Sequence, residues 1–150
     1  MSNIRIPSVW CWILALFFLV GAIGNIDVLF NYEDPFPNVA KTRRAIRFSP
    51  TIVFLVNLLL LFTHAYLVLA FLKARSSSID IDVFLKLKVI LFAYLLIFAV
   101  VSLRDIVVSA LWESVYENYQ PATALEYLYI FGGIFLIAIF LLKAKRFLVS

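Results

Sequence analysis

VILFAYLLIFAVVSLRDIVVSALW, residues Val89–Trp112, decides the class of this protein. The run is about 24 residues long and holds one charged pair, Arg104 and Asp105. About 20 helical residues are enough to cross the hydrocarbon of a bilayer. Three further apolar runs, Val9–Phe30, Thr51–Leu72 and Leu125–Leu142, are each long enough or nearly so. Four such runs predict an all-α polytopic membrane protein, a four-transmembrane-helix bundle. The chain has room for one domain, residues 1–150, with helices over about 9–30, 51–72, 84–112 and 124–143.

Composition points the same way. Hydrophobic residues make up 65% of the chain, charged residues 15%, and mean hydropathy is +1.04. A soluble domain is about 45–50% apolar and about 25% charged. So little charge cannot cover so much apolar surface in water, so lipid is the expected solvent. The net charge is +4. The basic residues flank the apolar runs, so anionic headgroups and topology explain them, and nucleic acid is not an expected partner. The single cysteine, Cys11, can form no internal disulfide and belongs to no metal-binding spacing. It reads as a small buried hydrophobe. The first run is longer than the usual apolar core of a signal peptide and lacks a small-residue cleavage site, so it reads as a retained helix.

The connections carry the polar residues. Trp10 and Trp12 open the first helix, where amphipathic rings favour the headgroup level. Gly21 and Gly24 would allow close approach of another helix. The first loop, Asn31–Pro50, runs from acid (Glu33, Asp34) through Pro35, Phe36 and Pro37 to base (Lys41, Arg43, Arg44, Arg47). The second holds Ser76, Ser77, Ser78, Asp80 and Asp82; it reads as flexible, with Asp82 capping the third helix. The third, Glu113–Thr123, is acidic and aromatic, with Tyr116 and Tyr119 beside Trp112. Lys and Arg set orientation. With both termini cytoplasmic, eight of them flank the inner ends and four, all in the first loop, lie outside. Both termini are therefore expected in the cytoplasm.

Ionisable residues within the runs are the expensive ones, at about 3 kcal/mol each on insertion scales. Arg104 and Asp105 head this group. Ser102, Asp105, Ser109 and Trp112 share one helical stripe, which should face protein or water. Asp27 near the outer end of the first helix and Glu126 at the outer start of the fourth complete a candidate polar cluster with Arg104, Asp105 and Ser109. Its members fit an ion-paired brace between helices, a proton or substrate path, or interfacial snorkelling. The only histidine, His64, shares a face of the second helix with Asn57. It reads as a hydrogen-bonded core residue, or as a contact for a quinone or a haem shared with a partner subunit. The chain itself supplies no second axial histidine. No phosphate-binding glycine loop, HExxH or GxSxG is present, and no catalytic or metal site is expected.

The stretch GNIDVLFNYEDPFPNVAKTRRAIRFSP, Gly24–Pro50, resembles the bacterial "predicted small integral membrane protein" family, a four-helix domain without an established activity. The counterparts are Asn25, Ile26 and Asp27; Glu33, Asp34, Phe36 and Pro37; and Arg44, Ala45, Ile46, Ser49 and Pro50. Trp112, Glu113 and Ser114, then Asn118, Gln120, Ala122 and Tyr127, are similar to a second family stretch. Arg43 and Tyr119 depart from the family's tryptophan and glycine, and His64 or a neighbour stands where a glutamate is typical. The resemblance implies a multi-pass protein of the bacterial inner membrane with its two motif-rich loops on one side.

Together these readings predict a non-catalytic accessory or scaffolding subunit docked on a larger membrane complex, a respiratory one among the candidates. The interface would draw on Asp34, Phe36, Pro37, Arg43, Arg44, Trp112, Tyr116 and Tyr119, since aromatic and arginine side chains enrich interfaces. A small oligomeric transporter or channel using the Arg104/Asp105 stripe is the second reading, and a quinone- or haem-anchoring subunit the third. Topology is directly testable. A C-terminal green fluorescent protein fusion should fluoresce and a C-terminal alkaline phosphatase fusion should be inactive. The opposite pair of results refutes cytoplasmic termini.

Overall fold

In the computed structural model the described residues are 3–31, 50–112, 124–144 and 147. Side chains are described throughout these except at 31, 50, 52–53, 101 and 104–112. The loop residues proposed as an interface, Asp34, Phe36, Pro37, Arg43, Arg44, Tyr116 and Tyr119, lie outside the described residues.

Helices dominate. The order is β1 (Asn3–Ile4), α1 (Ser8–Asn31), α2 (Pro50–Ser76), β2 (Ile79–Asp80), α3 (Ile81–Trp112) and α4 (Ala124–Lys143). Among the described residues, four helices are long and apolar enough to cross a membrane: Ser8–Phe30, Phe54–Ser76, Ile81–Val100 and Ala124–Lys143. Local signals account for several of the ends. Pro50 opens α2, where a missing N–H is tolerated. Lys73 and Arg75 close it, at the negative end of the helix dipole.

Two boundaries differ from the sequence expectation. No glycine or proline stops α2 after Leu72, so it continues through Lys73–Ser76. Helix α3 begins at Ile81 rather than near 84, so Asp82 lies inside its first turn instead of capping it. Its carboxylate is still favourable there, near the positive end of the dipole. The second connection is not a flexible loop. Ile79–Asp80 pairs antiparallel with Asn3–Ile4, Asn3 opposite Asp80 and Ile4 opposite Ile79. Ile4 and Ile79 are both buried.

The chain divides into two units, one of Ser8–Ser76 and one of Met1–Pro7 with Ser77–Ser150. In the first, α1 packs antiparallel on α2. Trp12 meets Arg75, Phe18 meets Phe71 and Asn25 meets His64, so the level falls along α2 as it rises along α1. The buried positions on α1 are Cys11, Leu14, Ala15, Phe18, Ala22 and Asn25; on α2 they are His64, Leu67, Phe71 and Ala74. This spacing of three and four puts the buried positions on one face of each helix. Gly24 stands off the seam: a Cβ there would meet nothing within 4 Å, so the expected close approach does not occur at this glycine among the described residues.

In the second unit, α3 and α4 form the other hairpin. Tyr94, Phe98 and Tyr129 form an edge-to-face row, with centroids 5.9 and 6.0 Å apart. At the other end Phe147 packs on both Phe84 and Phe140. The outward faces stay apolar: Phe30, Leu59, Phe62, Leu125, Phe135 and Leu142 are all exposed.

The strand pair makes a direct prediction. Directly opposed antiparallel Cα atoms lie about 4.5–5.5 Å apart, within disulfide range. In a Cys11→Ala background, Asn3→Cys with Asp80→Cys should oxidise to an intramolecular cross-link detectable by peptide mass spectrometry. Absence of the cross-link under conditions that oxidise a control pair contradicts the pairing.

Candidate functional site

A buried polar pair joins α1 to α2. Asn25 Nδ2 lies 2.7 Å from His64 Nδ1. Asn25 and His64 are both buried, at 9% and 5% exposure. With the amide nitrogen facing the ring, Asn25 donates and Nδ1 accepts. A ring accepting at Nδ1 carries its proton on Nε2. The Nε2 atom is itself buried.

Neighbours fix the ring. Phe18 lies one α-helical heptad before Asn25 and sits 5.7 Å from the His64 ring, centroid to centroid. Phe71, a heptad after His64, stacks nearly parallel to Phe18 at 6.4 Å. Phe17 meets Phe18 edge-on at 5.2 Å. From the Trp12–Arg75 level, Asn25 is about 20 Å and His64 about 17 Å along the helix axes. A hydrocarbon core of about 30 Å places the pair well inside it. Lipid offers no hydrogen-bond partner at that depth, so a bond between complementary side chains on facing helices is favoured there.

Two hydroxyls within the helices bond to their own backbone. Thr63 Oγ1 donates to the Leu59 carbonyl and Ser102 Oγ to the Phe98 carbonyl, each at 2.8 Å. Arg75 stands at the membrane end of α2 with its guanidinium 4.7 Å from the centre of the Trp12 ring. This cation–π contact couples the headgroup-level tryptophan to the last turn of the partner helix.

The five residues of the expected polar cluster are placed unevenly. Asp27 is exposed and lies two residues beyond Asn25, on the side of α1 away from the α2 seam. Glu126 is exposed in the first turn of α4, where the helix dipole favours a carboxylate. Arg104, Asp105 and Ser109 belong to α3, as does Trp112 at its last position, but their side chains lie outside the described residues. Ser102, the first member of their stripe, is buried. Helix α3 has 32 residues and is therefore about 48 Å long, well beyond a hydrocarbon core. Measured from Lys86, Arg104 is about 27 Å along the axis, close to the far edge of such a core.

Sequence reasoning singled out His64 but matched it with Asn57 on its own helix, and it passed over Asn25 as a partner. The available signal was complementarity. Asn25 and His64 are costly polar groups in consecutive, antiparallel apolar runs, and in hydrocarbon each needs a partner across the seam. Among the described residues no cluster of three or more His, Cys, Asp or Glu could hold a metal. The chain matches no family model, no curated protein and no solved structure.

The Asn25–His64 bond predicts non-additive energetics. Removing one partner leaves the other polar in hydrocarbon, at about 1–3 kcal/mol, whereas replacing both by apolar groups of similar shape is nearly neutral. Asn25→Leu and His64→Leu should each lower stability to unfolding in mixed micelles. The double variant should be less destabilised than the two effects combined. Strict additivity would mean that the two side chains do not interact.

Proposed function

We propose that this chain is a non-catalytic, multi-pass subunit of a larger membrane assembly, built to present helices and loops rather than to perform chemistry. The observation that carries this reading is the Asn25–His64 bond. A buried polar pair is used to join two helices, and the hydroxyls of Thr63 and Ser102 are turned onto their own helix backbones. The outward faces of α1 to α4 remain lined with large apolar side chains, suited to lipid or to helices of another subunit. In this reading the four helices form one bundle with both termini in the cytoplasm, in a bacterial inner membrane. That location follows from the family resemblance of Gly24–Pro50. Asp34, Phe36, Pro37, Arg43, Arg44, Trp112, Tyr116 and Tyr119 then contribute the partner surface on the outer side. Asp27, Arg104, Asp105, Ser109 and Glu126 act near that face as helix braces or as groups reaching the headgroups. The Arg104 position near the far edge of a core-length segment of α3 favours that use over a path through the membrane.

A second reading has its own observation. The His64 ring is held in the membrane interior by Asn25 and flanked by Phe18, an environment that also suits a flat aromatic ligand. A quinone would then sit beside α2 and accept a hydrogen bond from Nε2, whereas a haem whose other axial ligand comes from a partner would require the Asn25 amide turned so that its oxygen accepts from Nδ1–H and Nε2 is left to bind iron.

Purification under mild detergent from the native membrane, followed by mass spectrometry, tests the main reading. Stoichiometric co-purification of other membrane subunits is expected. A homogeneous homo-oligomer with no other protein overturns the accessory role and favours the transporter or channel alternative. A Soret band or extractable quinone lost in His64→Leu would instead establish the second reading.

A further inference from the structure

Several elements of the second unit converge at one end. Strand β1 pairs with β2, β2 leads directly into α3, and α3 also contacts β1. Phe147, just past α4, packs on Phe84 of the first turn of α3 and on Phe140 of α4. The start of α3, the end of α4 and the strand pair therefore lie together.

Cations concentrate on this end. Arg5 follows β1 immediately and is exposed, Lys86 is exposed in the second turn of α3, and Lys88 follows it. Lys143 is the last residue of α4. Among the described residues of this end, two carboxylates, Asp80 and Asp82, stand beside these four. Side chains on a helix tilt toward its N-terminus, so lysines early in α3 reach back toward the membrane boundary. Lys88 does so: its ammonium lies 5.9 Å from the centre of the Phe84 ring, one turn nearer the helix start. Its stem then lies along apolar surface while its charge reaches headgroup depth. The same end is apolar on the inside, with Ile4, Ile6, Ile79, Phe84 and Leu87 all buried. Exposed Val83, Leu85 and Val89 flank the two lysines, so cations at the level where a span meets water lie beside apolar surface open to acyl chains.

We propose that this end selects anionic phospholipids through their headgroup phosphates, with Arg5, Lys86 and Lys88 as cationic contacts, the two lysines on opposite sides of α3, and Lys143 at its edge. The inference rests on the reading of the chain as membrane-spanning and is independent of which subunit it accompanies. A lone protein without partners would therefore leave it intact.

Electron spin resonance on the full-length protein in phosphatidylcholine vesicles tests the site with two probes, spin-labelled phosphatidylglycerol and spin-labelled phosphatidylcholine. The wild type should hold phosphatidylglycerol at least about threefold more strongly than phosphatidylcholine, and 1 M salt should remove most of that preference. Lys86→Gln with Lys88→Gln should abolish it. Lys86→Arg with Lys88→Arg should retain it, and an unchanged immobilised phosphatidylcholine fraction reports that each variant is folded. Arg43→Gln with Arg44→Gln removes the same charge from the first loop and should leave the preference in place. Equal binding of the two lipids by the wild type overturns the proposal. So does a preference that survives the glutamine pair, or one lost equally in the Arg43/Arg44 control.

Discussion

Hydrocarbon supplies no hydrogen-bond partner, and that single constraint organises what the structure shows. Backbone groups meet it by forming long helices, as a lipid-exposed segment must. Side chains meet it at close range. Asn25 bonds to His64 across the α1–α2 seam, and Thr63 and Ser102 turn back on carbonyls one turn earlier. Apolar surface gains little by leaving lipid for another apolar surface, so packing and hydrogen bonds supply the attraction between spans. That is why the seam concentrates what the lipid face lacks. It holds the small residues Cys11, Ala15, Ala22 and Ala74, and the aromatic rings Phe18 and Phe71, which lie nearly parallel. The polar pair adds register. A helical slip of one residue would turn Asn25 away from His64 and leave both in lipid.

The same constraint separates what the sequence made legible from what it did not. The four spans were legible because a run of about 20 apolar residues has few other readings. The seam was not. In water, helix periodicity reveals the buried face because the other face is polar; here Leu16, Leu19 and Ile23 face outward with the same hydropathy as the core. His64 stood out as costly, yet its partner depended on the pairing level of two helices, which the contacts of Trp12 with Arg75 and Phe18 with Phe71 fix only in three dimensions. The strand pair was invisible for a different reason. Asn3–Ile4 and Ile79–Asp80 are two residues each, too short for an alternating pattern to register. Of the expected outer cluster, only Asp27 and Glu126 fall among the residues with described side chains, and both are exposed.

Charge follows the boundary rather than the interior. Among the described residues, cations gather at helix ends: Lys73 and Arg75 at the end of α2, Lys86 and Lys88 early in α3, and Lys143 at the end of α4. Two of them rest on rings, Arg75 on Trp12 and Lys88 on Phe84. An aromatic ring accommodates a cation's apolar stem and attracts its charge at once, which suits a side chain at the edge of hydrocarbon. Interior polarity thus holds helices together, while boundary charge positions them against headgroups. Neither use requires chemistry on a substrate, and that division of labour underlies the reading of the chain as a structural membrane subunit.

His64 is the only histidine in the chain, so its ring nitrogens can be observed without competition. Solid-state nuclear magnetic resonance of the protein in bilayers, with nitrogen-15 in histidine and asparagine, reads the hydrogen bond directly. The account predicts an Nδ1 without a proton, a protonated Nε2 and a through-space correlation between Nδ1 and the Asn25 side-chain amide. A ring protonated on Nδ1, or one with no correlation to Asn25, would contradict it.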